Sequence, residues 1–511
     1  MSDWDDGYVS DIGYTYGYYR ELNPLRVKLA FLNAGLVAPE FGNACELGFG
    51  QGVSAVMHAA ASVCTWHGTD FNPSQAGFAQ ELAAASGASA HLYDQSFEEF
   101  VTRPNLPEFD YIGLHGIWSW ISDENRQVIV NFIRTKLKVG GVLYISYNTL
   151  PGWSNFAPMR HLMTQHASVM GAQGFGIVQK IDNALTFASD LLATTPMFAR
   201  ANPSVNERFK QIQTQHKHYL AHEYFNKDWH PMYFASMAEY LEQAKLTFAC
   251  SAHYLDHIEV LNLTKDQQSF LASIENANLK QSMLDFMVNQ TFRRDYWVKG
   301  PRKLNAFERV EALRKQSFVL AQDISDVPLK VTGLLGEANL TPHIYEPILK
   351  FLSDHKVRSL GEIEAILKDS GINFTHLNQA IMVLAGCGHL YPVQEKNSVF
   401  AAKKSTDRFN ERLLQRAIND NEISQLASPL IGGGVPVGRF QQLFLLSIKE
   451  GKKTPQEWAN FVFGILMKQG EKIVKDGKLL ETEAENLEEL NSLAKEFSEK
   501  RIPIMKALSI L

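Results

Sequence analysis

The chain has 511 residues, more than one hydrophobic core usually serves, so roughly two to four domains are expected. Its 45% hydrophobic and 20% charged fractions are those of a globular protein, and a net charge of −6 leaves no basic footprint for nucleic acid. Four scattered cysteines at no zinc spacing (Cys45, Cys64, Cys250, Cys387) read as reduced core residues, and neither a signal-peptide pattern nor an apolar run of about 18 residues occurs, so a cytoplasmic protein without metal or membrane insertion is expected.

Residues 1–24 crowd Trp4, Tyr8, Tyr14, Tyr16, Tyr18 and Tyr19 among glycines, too aromatic for a disordered tail. The segment reads either as an arm packed on the core or as a flap bringing Tyr14 or Tyr18 to a cationic ligand, because aromatic faces attract cations. Asn23-Pro24 opens a helix through Ala34. Ala44-Cys45-Glu46-Leu47-Gly48-Phe49-Gly50-Gln51-Gly52 then reads as a buried strand, a glycine turn and the start of an alanine-rich helix, Val53 to Ala61. Gly48, Gly50 and Gly52 permit a tight turn, and free N–H groups at a helix start suit a polar or anionic ligand group. A lone glycine turn also fits a dinucleotide enzyme.

Further strands narrow the choice. Thr65 to Asp70 and Ala88 to Asp94 each end in an acid, Phe109 to His115 ends in a histidine, and Gly140 to Ser146 follows the helix from Asp123 to Leu137. Ligands of open parallel sheets lie beyond these carboxyl ends. Trp118 and Trp120 read either as walls of an acceptor pocket or as core. Tyr147-Asn148 precedes a Pro-Gly turn and Trp153, on the same edge. Helical patterns over Asn155 to Met170, Ile177 to Ala193 and Val205 to Leu220 suggest a lid at about 155–230. It closes on the aromatic and charged block from Tyr219 to Pro231, where Glu223 and Tyr224 are candidate acceptor residues. A helix from Met232 to Ala244 precedes expected strands at Leu246 to Ala252, Asp256 to Leu263 and Thr291 to Lys299.

The later chain reads as a linker (301–330), then a winged-helix-like module (331–405) with helices over Leu340 to His355, Ser359 to Lys368 and Phe374 to Gly386 and a hairpin of Leu390 to Val393 with Val399 to Lys403. Its third helix lacks Lys and Arg over Thr375 to Ala385, which points to protein contact rather than DNA. A C-terminal helical domain (406–511) includes a Glu-rich amphipathic stretch at Glu481 to Glu499.

The strand-end series resembles the class I S-adenosylmethionine-dependent methyltransferases: Glu46 to Gly52 match their first motif, Asp70 the ribose-binding acid and Asp94 the residue beside the adenine. The resemblance implies an α/β Rossmann-like sheet over residues 1–300 and S-adenosyl-L-methionine as cofactor. It implies cofactor contacts from Glu46, Gly48, Gly50, Gln51, Gly52, Asp70, Phe71, Asp94, Gln95 and His115, with Tyr14 or Tyr18 near the sulfonium. The aromatic arm, His115-Gly116, the Asn148 to Trp153 turn and the His222 to Pro231 block further resemble methyltransferases with a methyltransferase regulatory domain, including rickettsial-type enzymes acting on lysines of outer-membrane proteins. That resemblance implies a protein substrate, with His115, Tyr147, Asn148, Glu223 and Tyr224 as catalytic candidates and Trp118, Trp120 and Trp153 as substrate walls. A homodimer stays open, as do a small-molecule or glycan acceptor and a scaffold without catalysis. The C-terminal half is expected to bind the acceptor.

Overall fold

A computed structural model describes residues 15–171 and 176–511; the expectation for Tyr14 lies outside them. The apolar runs ending in Glu46, Asp70, Asp94 and His115 form β1 (Asn43–Leu47), β2 (Thr65–Thr69), β3 (Ala90–Tyr93) and β4 (Phe109–Leu114), followed by β5 (Leu137–Asn148). With β6 (Leu246–Ser251) and β7 (Phe292–Lys299) they make a seven-stranded sheet in the order β3-β2-β1-β4-β5-β7-β6. The first five strands are parallel, and β7 runs antiparallel to both neighbours. Strand order reverses between β1 and β4, where Glu46 pairs with Gly113. A crevice is expected beyond the carboxyl ends of those two strands.

Helices α1 (Pro24–Asn33), α2 (Val53–Ala61), α3 (Pro73–Ser86), α4 (Phe97–Val101) and α5 (Asp123–Lys136) flank the sheet. Local chemistry starts them: Asn23 caps α1 by accepting from the Leu25 amide at 2.9 Å, and Ser122 caps α5 by accepting from the Asn125 amide at 3.3 Å. Every residue of α2 is buried. A helix buried all round, its Ser54 and His58 included, needs cover on all sides, and the C-terminal half supplies part of it. Thr406 and Ser405 donate to the Ala60 carbonyl at 2.9 and 2.7 Å, and Gln394 donates to the Ala61 carbonyl at 2.8 Å, which satisfies carbonyls that a helix end leaves unpaired. One continuous hydrophobic core accordingly joins α1 to α3 with residues as far as Ile510.

The lid comprises α6 (Ala157–Val169), α7 (Ile177–Ala193), α8 (Met197–Ala201), α9 (Ser204–Gln213) and α10 (Lys217–Tyr224). It has a core of its own around Trp153, Phe156, Met163, Ile181, Phe209 and Tyr224. The single helix expected over Val205 to Leu220 is thus two, and Glu223 and Tyr224 close the second rather than standing in irregular chain.

Three later expectations are corrected. Asp256 to Leu263 is not a strand: a turn (Tyr254–His257) and a short helix (Glu259–Asn262) replace it. The Asn262 side chain donates to the Leu255 and Ile258 carbonyls at 2.8 and 3.2 Å, an alternative to sheet pairing. Val399 to Lys403 lies inside a 21-residue helix, Lys396–Arg416, which buries Ala402, Thr406, Phe409 and Leu413 along one face. The hairpin expected with Leu390 to Val393 therefore does not form; Leu390–Pro392 pairs instead with Ser317–Leu320, which also pairs with Arg358–Ser359. Residues 301–330 are no plain connector, since they hold the helix Ala306–Arg314 as well as that central strand. The region after β7 is mostly helical, and the Glu-rich stretch forms the helix Glu483–Glu496. Among the described residues no helix is long and apolar enough to cross a membrane.

Candidate active site

At the ends of β1 and β2 the backbone turns through three glycines with positive φ, Gly48 (+71°), Gly50 (+59°) and Gly52 (+68°). L side chains avoid this region. A Cβ on Gly48 would also lie 2.8 Å from Ile117, and one on Gly52 would collide with the Ala79 methyl group. The turn is tied to β2. The Gly48 amide donates to the Thr69 carbonyl at 2.8 Å, and the Gly50 and Asn72 amides donate to Asp70 Oδ2 and Oδ1 at 2.8 and 3.0 Å. Burial pushes the Asp70 carboxyl up to about 6 despite those donors. Burial, with Asp70 close by, also holds Glu46 well above the usual carboxylate range. Glu46 Oε2 is buried without a hydrogen-bond partner among the described residues. An unpaired buried acceptor calls for a donor from outside the chain.

The neighbouring candidates frame this turn. Gln51 is buried, Phe71 is half-buried, and Asp94 is exposed just past β3. Gln95 braces the loop: its carbonyl accepts from the Thr69 hydroxyl, and its side chain accepts from Arg103 at 3.1 Å. The Arg103 guanidinium lies 3.7 Å over the Tyr93 ring.

A second concavity, of about 830 Å³, opens at the ends of β4 and β5 under the lid. It brings together His115, Gly116, Trp120, Asn148, Trp153, Glu223 and Tyr224. His115 Nδ1 is 2.8 Å from the Tyr144 hydroxyl, and its ring stacks on Tyr19 at 3.6 Å between centroids. Burial lowers the His115 pKa to about 4, so the imidazole is neutral at pH 7. The Gly116 amide donates to Ser146 Oγ and the Asn148 amide to Ser119 Oγ, each at 2.8 Å, which fixes both strand ends. Glu223 is raised to about 7 by burial alone. Trp153 donates its N–H to the Thr291 carbonyl at 2.9 Å and meets the Tyr224 ring edge-on.

Three sequence candidates point elsewhere. Tyr147 is buried in the core, where its hydroxyl donates to Asp295 Oδ2 at 3.1 Å beside Arg293. Side chains alternate along a strand, so Asn148 and not Tyr147 reaches the cavity. Trp118 is fully buried, its N–H directed at the Met232 sulfur at 3.4 Å, while Trp120 on the same turn faces the cavity. Tyr18 does not approach the glycine turn's ligand side: its hydroxyl accepts from the Gly434 amide at 2.7 Å and lies 3.2 Å from His58 Nε2, so it seams the arm to the C-terminal half. Of the described arm tyrosines, Tyr19 is the one stacked on His115. Sequence reasoning also passed over Arg208, Ser119 and Ser146, single polar residues in ordinary elements that carry no motif. The described residues lining the cavity fall between Thr15 and Phe292, so the chain beyond β7 supplies none of that lining.

Comparisons with known proteins fit this geometry. Residues 216–299 match the family described as "Predicted methyltransferase regulatory domain". Uncharacterized protein sll1526 of Synechocystis is 40% identical over 512 residues, 99% of each chain. The chain belongs to that protein's family. Another relative, uncharacterized protein RP789 of Rickettsia prowazekii, is 24% identical over 474 residues, covering 89% of this chain and 79% of that one. The solved structure of PKMT2 from Rickettsia typhi in complex with AdoHcy covers 97% of this chain and 100% of its own at a TM-score of 0.70, with 17% identity. The family member described here thus has an S-adenosylmethionine-dependent methyltransferase fold that includes the regulatory segment. That segment is no appendage, for it supplies β6, β7, Glu223 and Tyr224.

Proposed function

We propose that this protein transfers a methyl group from S-adenosylmethionine to the ε-amine of a lysine in a protein substrate. The observation that carries the proposal is the cavity at the ends of β4 and β5. It puts a half-buried carboxyl group, Glu223, and aromatic walls next to the strand switch point, where Glu46, its Oε2 unpartnered, and the amide-held Asp70 offer acceptors to a polar ligand.

The cofactor fits these residues: it carries an ammonium and a ribose diol, donors for the unpartnered Glu46 Oε2 and for the acceptor capacity that Asp70 keeps beyond its two amide bonds. Asp70 would accept from the diol, Glu46 would take a donor at Oε2, and the glycine turn leaves the backbone uncovered. When bound, the cofactor supplies an electrophilic methyl group for in-line displacement. The chain's part is placement and proton handling. A free lysine has a pKa of about 10.4 and arrives charged. Glu223 attracts it as the carboxylate and, with its pKa near 7, can take its proton on a carboxyl oxygen. His115, neutral and clamped between Tyr19 and Tyr144, adds no competing positive charge. The walls Trp120, Trp153 and Tyr224 exclude water and favour the neutral amine. PKMT2, whose name abbreviates protein lysine methyltransferase, shares the fold and supports the acceptor class.

Incubation with methyl-labelled cofactor and a native extract, followed by hydrolysis and amino-acid analysis, tests this reading. Label in methyl-lysine is the expected result. Label only in small molecules or glycans would favour the alternative acceptor.

A further inference from the structure

The aromatic wall of the acceptor cavity holds a cation of the chain's own. The Arg208 guanidinium, on α9, lies 3.7 Å from the centre of the Trp153 ring and 5.1 Å from that of Phe156. It also lies close enough to Tyr224 for its charge to oppose the rise that burial imposes on that hydroxyl's pKa. Trp153 and Phe156 meet the Tyr224 ring edge-on, with centroids at 6.0 and 6.2 Å. The three rings are only 6%, 2% and 5% exposed. The bond from Trp153 to the Thr291 carbonyl keeps that ring in place whether or not Arg208 is there. Trp229 stands edge-on to Trp153 at 5.0 Å but is covered by its own cation, Arg160. Arg208, Trp153 and Tyr224 line the same cavity as His115 and Glu223.

Buried rings around a cation position are the chemistry that recognises quaternary ammonium groups. A guanidinium is weakly hydrated and stacks on rings, whereas a lysine ammonium is strongly hydrated. N-Methylation strips that hydration. The cation able to compete with Arg208 is therefore a methylated ammonium rather than the unmodified amine.

We propose that Trp153, Phe156 and Tyr224 form a binding site for an N-methylated ammonium, filled at rest by Arg208 and vacated when Arg208 moves aside. On the lysine-acceptor reading, on which this consequence rests, the site retains a partly methylated product and favours further rounds.

The test uses the full chain and tetramethylammonium, followed by tryptophan fluorescence and calorimetry. Arg208→Ala should bind tetramethylammonium about ten-fold more tightly than the wild type, because the internal competitor is gone. Arg208→Gln, which keeps a long polar side chain but is uncharged, should do the same and covers the case in which the alanine variant misfolds. Adding Trp153→Ala should abolish the gain. Equal affinity across the wild type and both Arg208 variants overturns the proposal, as does a gain that survives Trp153→Ala. Mass spectrometry of methylated protein then reads the consequence, with Arg208→Ala shifting the product toward the trimethylated form. Tetramethylammonium binding with no lysine methylation would uphold the cation site and refute the acceptor reading, so the two failures are separable.

Discussion

The two ends of the site are built on different principles. The glycine turn and its acids come from consecutive strand ends, Glu46, Asp70 and Asp94; the turn is tied to β2 through Gly48 and Thr69, and the Asp70 carboxylate is held by the Gly50 and Asn72 amides. The cavity under the lid, the proposed acceptor end, draws on remote stretches: Tyr19 in the arm, His115 to Trp120, Asn148 to Trp153, α9, α10 and Thr291-Phe292. The first end has its geometry set by local turns and reads as a motif. The second depends on lid and sheet being packed together, so its side chains can vary without disturbing the cofactor end. Two carboxylates show the contrast. Asp70 has two amide donors and still reaches only about 6, whereas Glu223 has burial alone as the cause of its rise to about 7.

Breaking the cofactor end should have the largest effect. Gly52→Val combines left-handed strain of about 1–2 kcal/mol with overpacking of about 1–3 kcal/mol against Ala79. It should lower the Tm and abolish calorimetric binding of S-adenosylhomocysteine. Asp70→Ala is milder, removing charged hydrogen bonds of about 1.5–3 kcal/mol, or roughly 10- to 150-fold in affinity. In the wild type, that affinity should rise as pH climbs through about 6, since diol donors favour the carboxylate. Unchanged affinity in both variants would dissolve the distinction between the two ends.

The acceptor end should respond through KM. Glu223→Gln should raise KM for a lysine-bearing substrate more than it lowers kcat, with cofactor affinity preserved. The sign of its stability effect is also fixed. The folded pKa of about 7 lies above the unfolded value near 4.3, so the neutral form stabilises the fold at low pH, and that contribution is lost as pH rises through about 7. The wild-type Tm should accordingly fall between about pH 4.3 and 7 more than that of Glu223→Gln. Identical KM and identical pH profiles would remove Glu223 from the acceptor end.

The smallest effect sharpens the boundary between site and scaffold. Tyr147→Phe removes one buried donor to Asp295, a change of about 1–3 kcal/mol in stability, and should leave both KM values at wild type. A rise in acceptor KM would show that Tyr147 reaches the cavity after all.

The strand–turn–helix at Glu46 to Ala61, the acids at the ends of β2 and β3, and the helix opening at Asn23-Pro24 were legible because each is set by neighbours in sequence: a short buried apolar run, positive-φ glycines and a capping oxygen. The lid was legible as helices for the same reason. Tertiary packing decided which face each aromatic took. Tyr18 and Tyr19 are adjacent, yet one hydroxyl is claimed by Gly434 and the other ring by His115. Trp118 and Trp120 share one turn, yet only Trp120 is left to the cavity. A residue's type and spacing specify what it can bond, but burial and partner come from chain segments hundreds of positions away. The Val399 to Lys403 stretch shows the limit most plainly: short apolar runs fit helix and strand alike, and contact with α2 and the core favoured the helix.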